Sequence, residues 1–309
     1  METILPVKNI KTLWITLSNR CNHRCAFCYQ TDFEAILSKI VFKNIEPIYP
    51  TISNCLLQGG EVTVLGMTRP FCDEILSVNK SVKFDIVTNG HEFGEEWQSF
   101  FIEHGRAVHF SINASKDYTY QKITRGGNWE RLLSNIWSMV ELKKESGLSE
   151  PIIRASMVVT DDNVEEIYEF ARMCEFMGLD ACNITYDCAH FPKNAERVIA
   201  EATKLQDVKI VHPSWPSALL SRARGIPTRR ERQMHNNEFI CQNAFESLMV
   251  DIDGRARFCC LMDTRIGDLS INTIEEVWNS EEAQRIRRCF TENKYREAGC
   301  VVERCMAFN

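Results

Sequence analysis

The sequence predicts an α/β fold in which six β-α units build a parallel sheet, followed by a small cysteine-bearing α+β unit. Three observations lead there. Residues 10–190 alternate short apolar runs with amphipathic stretches, a pattern that calls for parallel strands joined by crossover helices. Within it, Val164, Ile167, Tyr168, Ala171 and Cys174 form one apolar stripe at helical spacing. From residue 241 the alternation stops, and Cys241, Cys259, Cys260, Cys289, Cys300 and Cys305 follow.

In chain order, strands are expected at residues 13–17, 55–58, 82–87, 107–112, 152–159 and 181–186, where short apolar runs meet turn-forming residues. Helices are expected at 31–44, 66–79, 94–104, 127–146 and 163–177. For the last, Asp162 with Glu165 offers a capping-box-like start and Gly178 a stop. Residues 206–240 hold Pro213, Pro216 and Pro227 and read as an irregular linker or insertion, a candidate substrate lid. Residues 247–258 alternate around Asp253-Gly254, which reads as a β-hairpin that folds Cys259 back toward Cys241. Gly267-Asp268-Leu269 then precedes a helix beginning at Ile274. The chain therefore divides into 1–205, 206–240 and 241–309.

Composition narrows the class. The 309 residues are 44% hydrophobic and 25% charged, ordinary for a globular protein. A net charge of −6 offers no general nucleic-acid surface. No apolar run approaches the roughly 18 residues of a membrane-spanning helix, and residues 1–6 lack the basic and apolar parts of a signal peptide. Fourteen cysteines without an export signal point to a reducing cytoplasm and to metal, not to a disulfide framework.

The chemistry concentrates at Cys21, Cys25 and Cys28, spaced C-x3-C-x2-C just after the first predicted strand. Three thiolates in one loop can wrap one face of a cubane cluster. The fourth thiolate of an electron-carrying loop is missing nearby, so one iron would stay open. Zinc usually needs four ligands in two short pairs, and cysteines this close in a loop pair poorly as disulfides. Gly59 and Gly60, after the second strand, let backbone approach a ligand without an intervening Cβ.

The run Ser18-Asn19-Arg20-Cys21-Asn22-His23-Arg24-Cys25-Ala26-Phe27-Cys28-Tyr29 resembles the cluster loop of the radical S-adenosylmethionine (radical SAM) superfamily, and the resemblance extends over most of the chain. It implies a partial, open (β/α)6 TIM-like barrel with function at the carboxyl ends of the strands. It also implies a [4Fe–4S] cluster on Cys21, Cys25 and Cys28 whose open iron chelates S-adenosylmethionine. Reduction then breaks the C5′–S bond, and the 5′-deoxyadenosyl radical takes a hydrogen from the substrate, chemistry that belongs to the cofactors. Gly59-Gly60-Glu61 matches the family's GGE motif, which holds the methionine amino group, and Thr88-Asn89-Gly90 looks like its strand-end turn. By the same resemblance Ser111 and Asn113 would meet the ribose diol, the Tyr29 backbone would meet adenine, and Arg154 would meet the methionine carboxylate. Arg154 is equally suited to pairing with a carboxylate inside the barrel.

Cys241, Gly254 and Cys259 resemble the C-x9–15-G-x4-C opening of the SPASM/twitch extension. The dense C-x2-C-x5-C-x3-C section of full SPASM is absent. The resemblance therefore implies a twitch-like form with one auxiliary [4Fe–4S] cluster on Cys241, Cys259, Cys300 and Cys305. Cys260 or Cys289 would substitute if the tail is placed differently, and a four-thiolate zinc knuckle is the alternative. Cys55, Cys72, Cys174 and Cys182 lie in apolar patterns and read as core.

On the substrate side, Asp187 and His190 are candidate proton acceptors. Arg222, Arg224, Arg229, Arg230 and Arg232 suit an anionic group. The expectation is dehydrogenation or rearrangement of a small polar, anionic metabolite, with a reductant such as flavodoxin or ferredoxin and no membrane or nucleic-acid partner. Peptide modification by a maturase is the alternative, and a non-catalytic Fe–S or zinc regulatory protein is another.

Overall fold

The computed structural model describes residues 5–186, 189–236, 241–302 and 305. Its elements, in chain order, are β1 (Thr12–Thr16), α1 (Lys39–Ile45), β2 (Asn54–Gln58), α2 (Thr68–Val78), β3 (Lys83–Thr88), α3 (Glu95–His104), β4 (Gly105–Ser111), α4 (Asp117–Thr124), α5 (Trp129–Ser146), β5 (Ile152–Val159), α6 (Ile167–Phe176), β6 (Ala181–Tyr186), α7 (Ala195–Lys204), α8 (Ser214–Ala223), α9 (Arg229–His235), α10 (Asn243–Glu246), β7 (Ser247–Val250), β8 (Arg255–Arg257), β9 (Gly267–Asp268), α11 (Ile274–Trp278) and α12 (Glu281–Thr291). The α/β fold of the sequence reading is present, with six β-α units and a hairpin-and-helix C-terminal region, the elements of a partial (β/α)6 barrel with its extension.

The chain forms two compact units. One holds the residues up to Arg20, Asp32–Phe84, and those from Arg230 onward; the other holds Cys21–Thr31 and Asp85–Arg229. In the first, the strand order is β2-β1-β7-β8-β9. Strand β1 pairs parallel with β2 on one side and with β7 on the other. The β7–β8 hairpin turns at Asp253-Gly254 as expected, with the Gly254 N–H donating to Asp251 O at 2.9 Å. Leu13, Ile15, Cys55 and Leu57 are buried from alternate positions of β1 and β2, the two-residue period of a sheet with one face packed, whereas every residue of β7 is buried. The helix expected from Ile274 forms behind a capping box of Thr273 and Glu276.

In the second unit β4, β5 and β6 pair parallel in turn. Val108, Phe110, Ile153, Ala155, Met157, Cys182 and Ile184 are buried on one face. The other face carries His109, Ser111, Arg154, Ser156, Asn183 and Thr185, all half-buried. The register aligns His109 with Arg154 and Ser111 with Ser156 and Asn183, so the polar face is layered along the strands.

Three local expectations are corrected. The helix expected at 31–44 begins only at Lys39, because Ala35–Leu37 bonds to Leu17–Asn19 as an extended segment: Asn19 N–H donates to Ala35 O at 2.9 Å and Leu37 N–H to Leu17 O at 3.0 Å. The helix expected at 163–177 starts as a 3-10 turn at Val164–Glu166, and Asp162 pairs with Lys122 instead of capping it. Where an irregular stretch is expected from residue 206, α8 and α9 form, and residues 237–240 lie outside the described residues. Pro213 caps α8 and Pro216 sits in its first turn, where a missing N–H costs no helical bond.

Candidate active site and cluster-binding cysteines

The cysteine loop is fixed by backbone contacts to the end of α4. Arg24 N–H donates to Thr124 O at 3.2 Å and to Arg125 O at 3.1 Å, and Ala26 N–H donates to Ile123 O at 2.8 Å. The loop also folds on itself, with Cys28 N–H donating to Cys25 O at 3.0 Å and the Arg24 guanidinium donating to Cys21 O at 2.6 Å. Asn89, from the turn after β3, donates to Asn22 Oδ1 at 2.7 Å and lies 4.0 Å from Cys21 Sγ. Cys21 and Cys25 are half-buried, whereas Cys28 is exposed. Burial first, then the Cys21 and Cys28 thiols, push Cys25 up to about 12. Three thiols so close resist ionising together unless a bound cation inverts the local field, and the iron of a cluster supplies one. The donor set and its open edge fit a three-thiolate cluster.

Behind the loop His23 is 2% exposed, and neither ring nitrogen has a hydrogen-bond partner. Its ring meets that of His91 edge to face at 5.6 Å. Burial, then His91, lower it to about 4, so the ring is a neutral packing element.

Gly59 and Gly60 are required by backbone crowding. A Cβ on Gly59, whose φ is +143°, would stand 2.3 Å from Ser18 O, and one on Gly60 would stand 2.0 Å from Arg20 O. Gly60 N–H donates to Ser18 O and Glu61 N–H to Arg20 O, both at 2.7 Å. These bonds pin the segment that ends at the residue before Cys21. Glu61 is 1% exposed and accepts from Thr63 N–H at 3.2 Å and Thr63 Oγ1 at 2.7 Å.

The other expected residues are scattered. Asn113 closes β4 at a left-handed φ of 65°, which asparagine tolerates. It is 3% exposed, and its Oδ1 accepts from Val158 N–H at 2.9 Å, so its carbonyl end ties β4 to β5. Ser111 is half-buried in register with Ser156. Arg154 lies one layer further toward the strand N-termini, opposite His109, and its Nε is buried without a partner. Burial lowers Arg154, and Asp85 opposes that shift. Burial, then Arg154 and Arg106, hold His109 down at about 3. Tyr29 is 88% exposed, and His190 is exposed beyond β6. Asp187 lies outside the described residues.

The C-terminal thiols converge from three chain segments. Burial, then the thiols of Cys241, Cys259, Cys305 and Cys289, push Cys300 well up. Tyr295 feels burial, then Cys241, Cys300 and Cys305. The cause of this gathering is structural: Met262 and Cys300 form an antiparallel bridge, and Cys305 N–H donates to Val302 O at 3.0 Å. Of the adjacent pair, Cys259 is favoured as the thiolate, first by a hydrogen bond from the Cys260 thiol and further by Leu261 N–H, the Asn243 side chain and Arg257. Among the described residues, no three His, Cys, Asp or Glu side chains are drawn tightly enough to hold a single metal ion.

Two family models match this arrangement: the radical SAM superfamily over residues 15–174, and an iron-sulfur cluster-binding domain, SPASM, over residues 241–306. The chain belongs to the radical SAM superfamily. Its cofactors are accordingly S-adenosylmethionine, the [4Fe–4S] cluster that binds it, and auxiliary Fe–S chemistry in the C-terminal region. As a radical SAM enzyme it uses a reductant. Among the described residues no helix is long and apolar enough to cross a membrane.

This radical SAM chain is 23% identical over 320 aligned positions to a cysteine-type anaerobic sulfatase-maturating enzyme of Clostridium novyi, covering 89% of this chain and 80% of that one. It is also 23% identical to a GTP 3',8-cyclase of Clostridium perfringens, but there it spans only about half of the relative, 53%. Among solved structures, anSMEcpe with bound AdoMet and Cp18Cys peptide matches at a TM-score of 0.62 and 13% identity, over 94% of this chain and 89% of that one. BtrN in complex with AdoMet and 2-DOIA matches at a TM-score of 0.51 and 10% identity, over 97% and 93%.

One part of the site escapes the sequence reading. The α4 end that braces the cysteine loop was hidden because α4 is short and its apolar stripe is weak. Its signal was the run Arg125-Gly126-Gly127, a helix-stop pattern. The nearness of Cys289 to the C-terminal thiols agrees with its place as a substitute in the sequence analysis.

Proposed function

We propose that this radical SAM enzyme modifies a peptide, removing a hydrogen atom from a side chain and completing a two-electron oxidation. The small anionic metabolite of the sequence reading thus gives way to its alternative. The observation that carries the reading is the likeness to a sulfatase-maturating enzyme, which runs through the barrel and the cluster-bearing C-terminal region alike. The GTP 3',8-cyclase quoted above aligns with 54% of this chain, but a probable GTP 3',8-cyclase of Sulfolobus acidocaldarius aligns with 91% of it at 22% identity, so the peptide reading draws its further support from the likeness to the peptide-bound anSMEcpe structure.

In this reading Cys21, Cys25 and Cys28 hold the cluster that binds S-adenosylmethionine, and Cys28 lies on the open edge of the loop. Cys241, Cys259, Cys300 and Cys305 hold a single auxiliary cluster. When bound, the two clusters supply the electron that breaks the C5′–S bond and a sink for the electron the substrate radical gives up. The polar face of β4–β6, with Ser111, Ser156, Asn183 and Thr185, offers hydrogen bonds to orient the reactants. His190, exposed just past β6, is the described group offered as acceptor of the substrate proton.

The test uses anaerobically reconstituted protein with dithionite, S-adenosylmethionine and a uniformly deuterated cysteine-containing peptide. Deuterium should appear in 5′-deoxyadenosine, and the peptide should become lighter by the two hydrogens lost. Turnover stimulated by GTP or an aminocyclitol, and unaffected by peptides, would overturn the reading. An aminocyclitol result would favour the dehydrogenase alternative, for which the near full-length likeness to BtrN is the supporting observation.

A further inference from the structure

Arg287, on α12, is the most deeply buried cation among the described residues. It is 1% exposed, and its Nη1 and Nη2 atoms are buried without a hydrogen-bond partner. Its one polar contact is Nε donating to Ala244 O at 2.9 Å. The guanidinium packs against two rings that meet edge to face, 4.4 Å from the Trp278 ring centre and 5.2 Å from that of Phe258. No carboxylate among the described residues pairs with it. A buried charge without a counter-charge is among the costliest arrangements in a protein core, and cation–π contact recovers only part of that cost. Burial lowers its pKa only to about 10, so it remains a cation at neutral pH.

Two of the three contacts of Arg287, Phe258 and Ala244, lead toward Cys259 of the auxiliary set, while Trp278 only packs on it. Phe258 is bonded to Cys259, and Ala244 is three residues from Cys241 in a helix whose Asn243 side chain bonds the Cys259 thiol. The same region holds a second excess of positive charge: Arg257 and Arg265 share the single carboxylate of Asp251, at 2.7 and 2.8 Å. A cubane cluster on four thiolates is net negative, and nearby charge and burial set its potential.

We propose that Arg287 is a positioning residue for the auxiliary cluster: a buried cation packed against two aromatic rings, whose missing counter-charge is the cluster itself, and which raises that cluster's reduction potential. This rests on the reading that Cys241, Cys259, Cys300 and Cys305 hold a cluster. The added positive charge favours the reduced, more negative state and so makes the site a better acceptor of the substrate's electron.

The experiment is an EPR-monitored redox titration of the reconstituted full chain, with Arg287→Met, Arg287→Lys and wild type compared and iron counted in each. Arg287→Met should lower the auxiliary potential by at least a tenfold shift in the reduction equilibrium, about 59 mV for one electron. Arg287→Lys should stay closer to wild type, and the cluster on Cys21, Cys25 and Cys28 should not move. If both variants keep full iron and the auxiliary potential is unchanged in Arg287→Met, the residue is only a packing element and the proposal fails. If Arg287→Met loses the auxiliary iron, the Lys variant decides: retained iron with a near-wild-type potential supports the charge role, and equal loss overturns it. If wild type itself binds only about four irons, one cubane cluster, the auxiliary-cluster reading fails instead.

Discussion

The two cysteine sets solve opposite problems. Cys21, Cys25 and Cys28 come from one short loop, are held by backbone bonds to the end of α4, and leave Cys28 exposed. The auxiliary thiols come from three segments gathered by the β7–β8 hairpin and the C-terminal bridge, and only the fold makes them neighbours. A centre that must bind a reactant needs an open iron and a short, rigid loop. A centre that only accepts or relays an electron needs no open edge, and surrounding charge can tune it. The difference teaches that ligand spacing along the chain reflects what a cluster must do.

The largest expected effect is at the open site. Cys25→Ala should reduce 5′-deoxyadenosine formation to the background of a reaction without enzyme, and iron should fall by about four atoms, one cubane's worth. Cys300→Ala should separate the two centres. Iron again falls by about four, cleavage of S-adenosylmethionine continues, and oxidised product drops at least tenfold. Equal loss of both activities would erase the functional distinction between the sets.

Gly60→Ala probes the scaffold of the first set. Its Cβ would meet Arg20 O at 2.0 Å, and backbone there must shift. A cost of about 3 kcal/mol is expected, read by urea unfolding, together with weaker S-adenosylmethionine binding. Unchanged stability would mean the Ser18–Arg20 segment is loose and does not set the loop.

The smallest effect concerns the strand layer that carries the polar face. Asp85 is buried and ion-paired with Arg106, whose Nε lies 3.0 Å from the carboxylate. Burial raises the Asp85 carboxyl above its ordinary value, and Arg106 opposes that rise. A raised folded-state value favours folding at low pH and loses that contribution as pH climbs through it. Arg106→Met would raise Asp85 further, so its deficit should be about 1–3 kcal/mol near pH 7 and shrink toward pH 4 as the carboxyl protonates. A deficit that is flat with pH would assign the loss to packing alone.

The loop site and the sheet were legible in the sequence for different reasons. A C-x3-C-x2-C triplet is local, so spacing alone reports it, and β5 and β6 form at the expected bounds because apolar runs ending at polar turns mark them. Ala35–Leu37 was misread as helix because its local pattern is overridden by bonds to Leu17–Asn19. Helix α8 was missed because Pro213 and Pro216 signal a break, although at a helix start they cost no helical bond. The resemblance names Asn113 for the ribose and Arg154 for a carboxylate, but it says nothing of the layer in which each lies. Whether an amide ties two strands together or a guanidinium lies a layer below the strand ends depends on register, which one chain position does not encode.

The most direct test of two centres with different tasks is EPR of the dithionite-reduced protein with and without S-adenosylmethionine. Two cluster signals should be present, and only one should change on adding S-adenosylmethionine. That signal should be the one lost in the Cys21→Ala/Cys25→Ala/Cys28→Ala variant, with the other intact. A signal that still responds to S-adenosylmethionine in that variant, or a response by both clusters, would contradict the division of labour between the loop site and the C-terminal one.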